Sequence, residues 1–164
     1  MSIKSVTKRT LSIDLGSNLG WALHSSEGIT SGVLILKEKG KFSAGGFEQL
    51  YCWMTAHKLI AIDKGEGTKN FEMVVEVPHC GKFMAANRIL FGLLAMVNMF
   101  CSNNEIKLTE YRPKAIKKYW TGNGNSNKKQ MIAAAKERGL TLVKDHNEVD
   151  ALAQLHYHLS KGTK

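Results

Sequence analysis

The run Phe71-Glu72-Met73-Val74-Val75-Glu76-Val77 constrains this chain more than any other stretch. After Glu72 it is almost fully apolar, the pattern of a central strand covered on both faces. A strand of that kind needs a packing layer on each side, so it points to a sheet between helices. The neighbouring periods agree. Residues 10–15 alternate as a strand, and Gly16-Ser17-Asn18 reads as a turn. Residues 20–23 and 29–36 read as two more strands, joined at Glu27-Gly28, which completes an antiparallel meander of three. Over 43–63 the period becomes helical, through Phe47, Leu50, Tyr51, Met54, His57, Lys58 and Ala61, with Ser43 as a possible N-cap. Phe47, Tyr51 and Trp53 read as core.

Lys64–Asn70 reads as a loop, and Pro78–Lys82 breaks the central strand. Residues 84–101 form a long apolar helix in which Phe91, Met96, Met99 and Phe100 are core or an interface, and 106–111 form another strand. Pro113 suits the first turn of a short helix through Tyr119. After a loop at 121–125, Ser126 is a candidate cap for a helix through Arg138. Residues 140–143 read as a short extended piece, and the last helix starts near Asp145 and runs to about Ser160. The order βββ-α-β-α-β-α-α-β-α predicts an α/β fold with a mixed sheet flanked by helices. The 164 residues suit one domain, with a core over about 9–160 and short flexible termini.

Composition narrows the function classes. No run approaches ~18 consecutive apolar residues, and Met1–Arg9 lacks a signal-peptide core, so the chain reads as soluble and unexported. Cys52, Cys80 and Cys101 are an odd number with no C-x-x-C, which argues for free thiols rather than a zinc site or a disulfide framework. The net charge is +9, and residues 107–144 hold ten basic residues against two acids. Charge this localised suits a phosphate backbone, because each neutralised phosphate releases counterions.

Three acids stand against that basic background. Asp14 lies in an apolar strand just before Gly16, and alternation places it with Ser12, opposite Ile13 and Leu15. Glu76 repeats the pattern near the end of the central strand, where α/β sheets place ligands. In the last helix, His146, Asn147 and Asp150 share one face, beside the apolar run Ala151, Leu152, Ala153 and Leu155. Asp145 and Glu148 fit a capping box. Acids converging from distant segments repel one another, and a divalent cation relieves this. Oxygen donors suit Mg²⁺ or Mn²⁺, and a pair of ions ~3.5–4 Å apart would serve phosphodiester cleavage. His156 and His158 face different directions and make a poor metal site. Trp120 reads as packing, with stacking on a base as the alternative.

Four stretches, in order over about residues 10–158, resemble the RuvC group of Holliday-junction resolvases within the RNase H-like superfamily. They are Leu11–Ala22 (the I-D-x-G-S/T…G-[YW]-A opening), Val74-Val75-Glu76, the Tyr111–Met131 segment (Y-x-P-x-x-V-K-K…T-G-x-G…K-x-Q-V), and Glu148–Ala153 (A-D-A-L-A). The resemblance implies an RNase H-like fold with a five-stranded mixed sheet, three antiparallel strands followed by parallel ones. It implies a Mg²⁺-dependent crossover junction endodeoxyribonuclease, with Mn²⁺ substituting and two ions bound, that leaves 5′-phosphate ends. Asp14, Glu76 and Asp150 would be the metal-binding catalytic acids. A homodimer through helix 84–101 would act on branched DNA, gripped by Lys114, Lys117, Lys118, Gly122, Asn123, Lys128 and Lys129. A DNA-associated, cytoplasmic protein is expected, in the host cytoplasm if the short chain is a phage or viral version.

The chain departs from the family pattern twice. Asn147 stands where the family often has Asp or His, so Asn147 or His146 would complete the site, with Asp145 and Glu148 as further alternatives. His79, with Phe83 further on, stands where an aromatic residue is common. Two other readings stay open at this level: a non-catalytic junction-binding module, and a small actin-like nucleotide-binding domain suggested by the D-x-G-x-x-x-G turn.

Overall fold

The computed structural model describes residues 8–64, 68–79, 81–141, 143 and 145–162. The elements are β1 (Arg9–Asp14), β2 (Asn18–Ser25), β3 (Gly28–Ile35), β4 (Lys37–Glu38), β5 (Lys41–Phe42), α1 (Ala44–Asp63), β6 (Phe71–Glu76), α2 (Met84–Asn103), β7 (Lys107–Tyr111), α3 (Pro113–Thr121), α4 (Lys128–Glu137) and α5 (His146–Gly162). Five strands form one sheet in the order β3-β2-β1-β6-β7. β1 and β2 pair antiparallel, as do β2 and β3, whereas β6 is parallel to both β1 and β7. The mixed sheet expected from the sequence is therefore present.

Strand alternation divides the molecule into two layers. Leu11 and Ile13 of β1, with Phe71, Met73 and Val75 of β6, face a core closed by Leu50 and Met54 of α1 and by Leu93, Val97 and Phe100 of α2. On the other side Ile116, Trp120, Met131, Val149, Leu152 and Leu155 pack α3, α4 and α5 together. A period of two then assigns Thr10, Ser12 and Asp14, and Glu72, Val74 and Glu76, to the α5 side. Helix α2 is long and apolar enough to cross a membrane by length and composition alone. Its inner residues are buried against the sheet, while Phe91 and Met99 are exposed on its outer face.

Several local expectations need correction. Asn127 rather than Ser126 caps α4: its side chain accepts from Gln130 N, and the Gln130 side chain accepts from Asn127 N, a full capping box. Ser126 is buried and bonds instead to Asn123 O and the Thr121 hydroxyl. The capping box foreseen at Asp145 and Glu148 forms by half. Asp145 Oδ1 accepts from Asn147 N at 2.8 Å, whereas Glu148 Oε1 accepts from Ser31 Oγ of β3 at 2.7 Å. Ser43 is the α1 N-cap by position, without a side-chain bond. Tyr51 is 45% exposed rather than core, with its ring edge on Phe100. Residues 140, 141 and 143 form no strand, and Leu142 lies outside the described residues. Part of the 64–70 loop, Cys80 and both termini (1–7 and 163–164) also lie outside them, and Thr68–Asn70 is a short 3-10 turn. The β4–β5 hairpin was not foreseen. It turns on Lys39 and Gly40, both at positive φ, and its two-residue strands are too short to show a period.

Candidate active site

The site sits at the C-terminal ends of β1 and β6. Ile13 pairs with Val75, so Asp14 and Glu76 are the next residues along two adjacent parallel strands, both on the α5 side. The first turn of α5 crosses the same end of the sheet. Gly20 of β2, which pairs with Asp14, lies directly beneath it: a Cβ there would stand 1.9 Å from Asn147 O. Only glycine admits that approach, and it brings Asp150 to the acids of the sheet.

The three carboxyls act on one another. Asp14 is held well above the ordinary carboxylate range by burial, then by the charges of Asp150 and Glu76, against the opposing pull of Lys128 and Lys117. Burial and the Asp150 charge push Glu76 up to about 7. Asp150 is also raised, by burial above all, against Lys117, His146 and Lys128. Burial and like charge together disfavour the ionised forms. Among the described residues no three of His, Cys, Asp and Glu already stand at ion-binding spacing. The donor set nevertheless fits a hard divalent cation. All three donors are carboxylates, the oxygen ligands such a cation takes, and they are gathered where burial and like charge disfavour their ionised forms.

The two candidates for a fourth group are both engaged elsewhere. Asn147 Nδ2 donates to Asp145 Oδ1 at 2.9 Å, an orientation in which the carbonyl oxygen is the side-chain atom that could face a cation. His146 Nε2 is 2.7 Å from Lys128 Nζ of α4. A lysine ammonium only donates, so His146 Nε2 is the acceptor in that contact.

A cleft of about 640 Å³ opens from Glu76. Val77, Pro78 and Pro113 form apolar wall, and Arg112, Lys114 and Lys117 supply positive charge. His79 lines this cleft and also a smaller pocket shared with Asp14 and Glu76. Phe83, at the start of α2, is 77% exposed. Gly122 ends α3 with φ 82, a left-handed cap that suits glycine, and the loop continues to Asn123, whose Oδ1 accepts from Asn125 N. Lys118, Lys128 and Lys129 are exposed on α3 and α4.

The basic residues named from sequence thus divide. Lys117 and Lys128 bear on the acids, Lys114 lines the cleft, and Lys118 and Lys129 are surface charges. Arg112 and Asn125 were missed, although both stand beside residues that had been singled out. Trp120 is buried, donates to Met131 O and lies under the Arg138 guanidinium, so it packs. His158 bonds Glu72 and Tyr111, far along β6 from the acids.

The sheet order and its flanking helices match the RuvC-type RNase H-like fold, with carboxyls gathered at the ends of β1 and β6. In sequence it is similar to crossover junction endodeoxyribonuclease RuvC of Salinibacter ruber, 34% identical over 88 residues. That match covers 50% of this chain and 47% of the relative, so it spans about half the length of each. The structure of Thermus thermophilus RuvC in complex with Holliday junction substrate aligns with TM-score 0.67 at 16% identity, over 94% of both chains. A second Thermus thermophilus RuvC structure aligns with TM-score 0.62 at 17% identity, over 94% of this chain and 97% of that one. No family model matches the chain.

Proposed function

We propose that this chain is a structure-selective endonuclease that resolves four-way DNA junctions, and other branched DNA, by divalent-metal-dependent phosphodiester hydrolysis. One observation carries the reading: three mutually repelling carboxyls from β1, β6 and α5 stand beside a cleft rimmed by Arg112, Lys114 and Lys117. The similarity to RuvC supports it independently.

Asp14, Glu76 and Asp150 would hold Mg²⁺ or Mn²⁺, with two ions as the fullest occupancy and Asn147 or His146 as the fourth group. A bound cation would supply positive charge for activating water and for the departing oxygen. The chain's own residues do the rest. Arg112, Lys114 and Lys117 bind backbone phosphates beside the acids and hold the scissile group in line. Lys118, Lys128 and Lys129, with the Gly122-Asn123 turn, extend the grip outward. His79 and Phe83 offer exposed rings for bases unstacked at a branch point. Lys128, paired with His146, moderates the charge of the acid cluster. The outer face of α2, with Phe91 and Met99 exposed, would join two copies so that paired sites meet two strands.

The test uses an end-labelled mobile four-way junction, a matched duplex and a Y-fork, with Mg²⁺, Mn²⁺ or EDTA. Paired symmetric nicks in the junction, metal-dependent and absent in Asp14→Asn, are the expected result. Equal cutting of the fork would broaden the substrate to branched DNA in general. Tight junction binding without cutting under any metal would overturn the enzyme reading and leave a binding module.

A further inference from the structure

We propose that Gln154 is a positioning residue: its buried side-chain amide, acting with Ser12, locks together the three segments that carry Asp14, Glu76 and Asp150. The proposal rests on the nuclease reading of that centre and adds residues that set its geometry.

Gln154 is 1% exposed and sits in the apolar face of α5, between Ala153 and Leu155. An amide buried there costs free energy unless its hydrogens find acceptors. They find three. Nε2 donates to Ser12 Oγ at 2.8 Å, to Val74 O at 2.9 Å and to Ile13 O at 3.1 Å, so two hydrogens serve three acceptors and one is shared. Ser12 Oγ in turn donates to Ala151 O at 2.9 Å, closing the network back onto α5.

Each anchor lies within two residues of an acid. Ile13 and Ser12 precede Asp14, Val74 precedes Glu76 on the same face of β6, and Ala151 follows Asp150. The β1–β6 ladder already fixes the two strands against each other. Hydrophobic packing presses α5 onto them without direction, and the Gly20–Asn147 approach and the Ser31–Glu148 bond hold only its first turn. The Gln154 amide, tied at once to both strands, fixes the slide and rotation of the helix. Asp150 is one turn away on the same helical face, so it moves with Gln154. An apolar residue of the same size would fill the space and release this tie between Asp150 and the two strands.

Gln154→Met keeps length and volume and removes the donors; Ser12→Ala removes the smaller half of the network. Mn²⁺ alone is titrated against each protein by electron paramagnetic resonance. Junction affinity in EDTA, thermal melting and the Mg²⁺ dependence of cleavage are measured alongside. Groups that orient metal ligands typically change affinity by about 10–100-fold when lost. Gln154→Met is expected to bind Mn²⁺ weaker by that factor, with the Mg²⁺ requirement for cleavage rising in parallel and junction affinity in EDTA within about twofold. A purely structural role would lower the melting temperature and leave Mn²⁺ affinity of the folded protein unchanged, which overturns the proposal. If Gln154→Met does not fold, Ser12→Ala decides: weaker Mn²⁺ binding supports the network, and unchanged binding overturns it. Wild-type protein that binds Mn²⁺ but cuts no branched DNA sinks the nuclease reading alone, and the Mn²⁺ comparison still tests Gln154.

Discussion

Replacing Gly20 by alanine drives a methyl group into backbone. The added Cβ would lie 1.9 Å from Asn147 O, 2.3 Å from Asn147 C and 2.9 Å from Glu148 N. Ordinary contact begins at 3.4 Å, so the first turn of α5 must lift by about 1.5 Å from β2. No rotamer relieves the clash, because main chain stands on both sides. Overpacking of this kind costs about 1–3 kcal/mol, which at roughly 2–4 °C per kcal/mol lowers the melting temperature by roughly 2–12 °C. The effect on activity is larger. Asp150 rides on the displaced turn, Asp14 is the cross-strand partner of Gly20, and misplacing a reacting group by ~1 Å costs about 100-fold. The assay is single-turnover junction cleavage beside a thermal melt, with Gly162→Ala, where a Cβ meets nothing within 4 Å, as control. Wild-type cleavage and melting in Gly20→Ala would refute the close approach on which the site is built.

The raised and lowered carboxyls make opposite predictions about pH. Glu76 is held at about 7, above its ordinary 4.5, so its contribution to stability is present below pH 4.5 and lost as pH rises through 7. In EDTA, melts from pH 5 to 8 should fall because of this group, and Glu76→Gln should flatten the fall. Glu72 behaves the other way. Burial alone would raise it, but hydrogen bonds from His158 and Lys8 and their charges hold it at about 2. Its contribution is present above pH 4.5 and lost as pH falls towards 2, so Glu72→Gln should destabilise by about 1–3 kcal/mol at pH 7 and by less in acid melts. Asn127→Ala removes the α4 capping box and should cost about 1 kcal/mol, seen as a drop of roughly 2–4 °C.

Much of the site could be read from strand alternation, because a period of two fixes which side chains share a face. Asp14 with Ser12, and Glu76 with Val74, follow from that alone. Asp150 followed from an acid beside an apolar helix stripe. Relations between distant segments were less legible. Glu148 has the spacing of a capping partner, yet its carboxylate accepts from Ser31, 117 positions away in sequence. Ser126 and Asn127 are adjacent cap formers, and only the Gln130 side chain, reaching back to Asn127 N, decides between them. Gln154 interrupts the apolar run of α5, and what it does there depends on two carbonyls in separate strands. Gly20 stood in a recognised motif, but its reason, the Asn147 carbonyl above it, appears only in three dimensions.

Calorimetric titration of the protein with Mn²⁺, in buffers of different ionisation enthalpy near pH 6.5, tests most directly whether Asp14, Glu76 and Asp150 form one cation centre. With Glu76 held near 7 and Asp14 and Asp150 also raised, the centre carries protons that binding must displace. The account predicts saturable binding with proton release, lost or strongly weakened in Asp14→Asn and in Glu76→Gln. Absence of binding, or binding in Asp14→Asn indistinguishable from wild type, would contradict it.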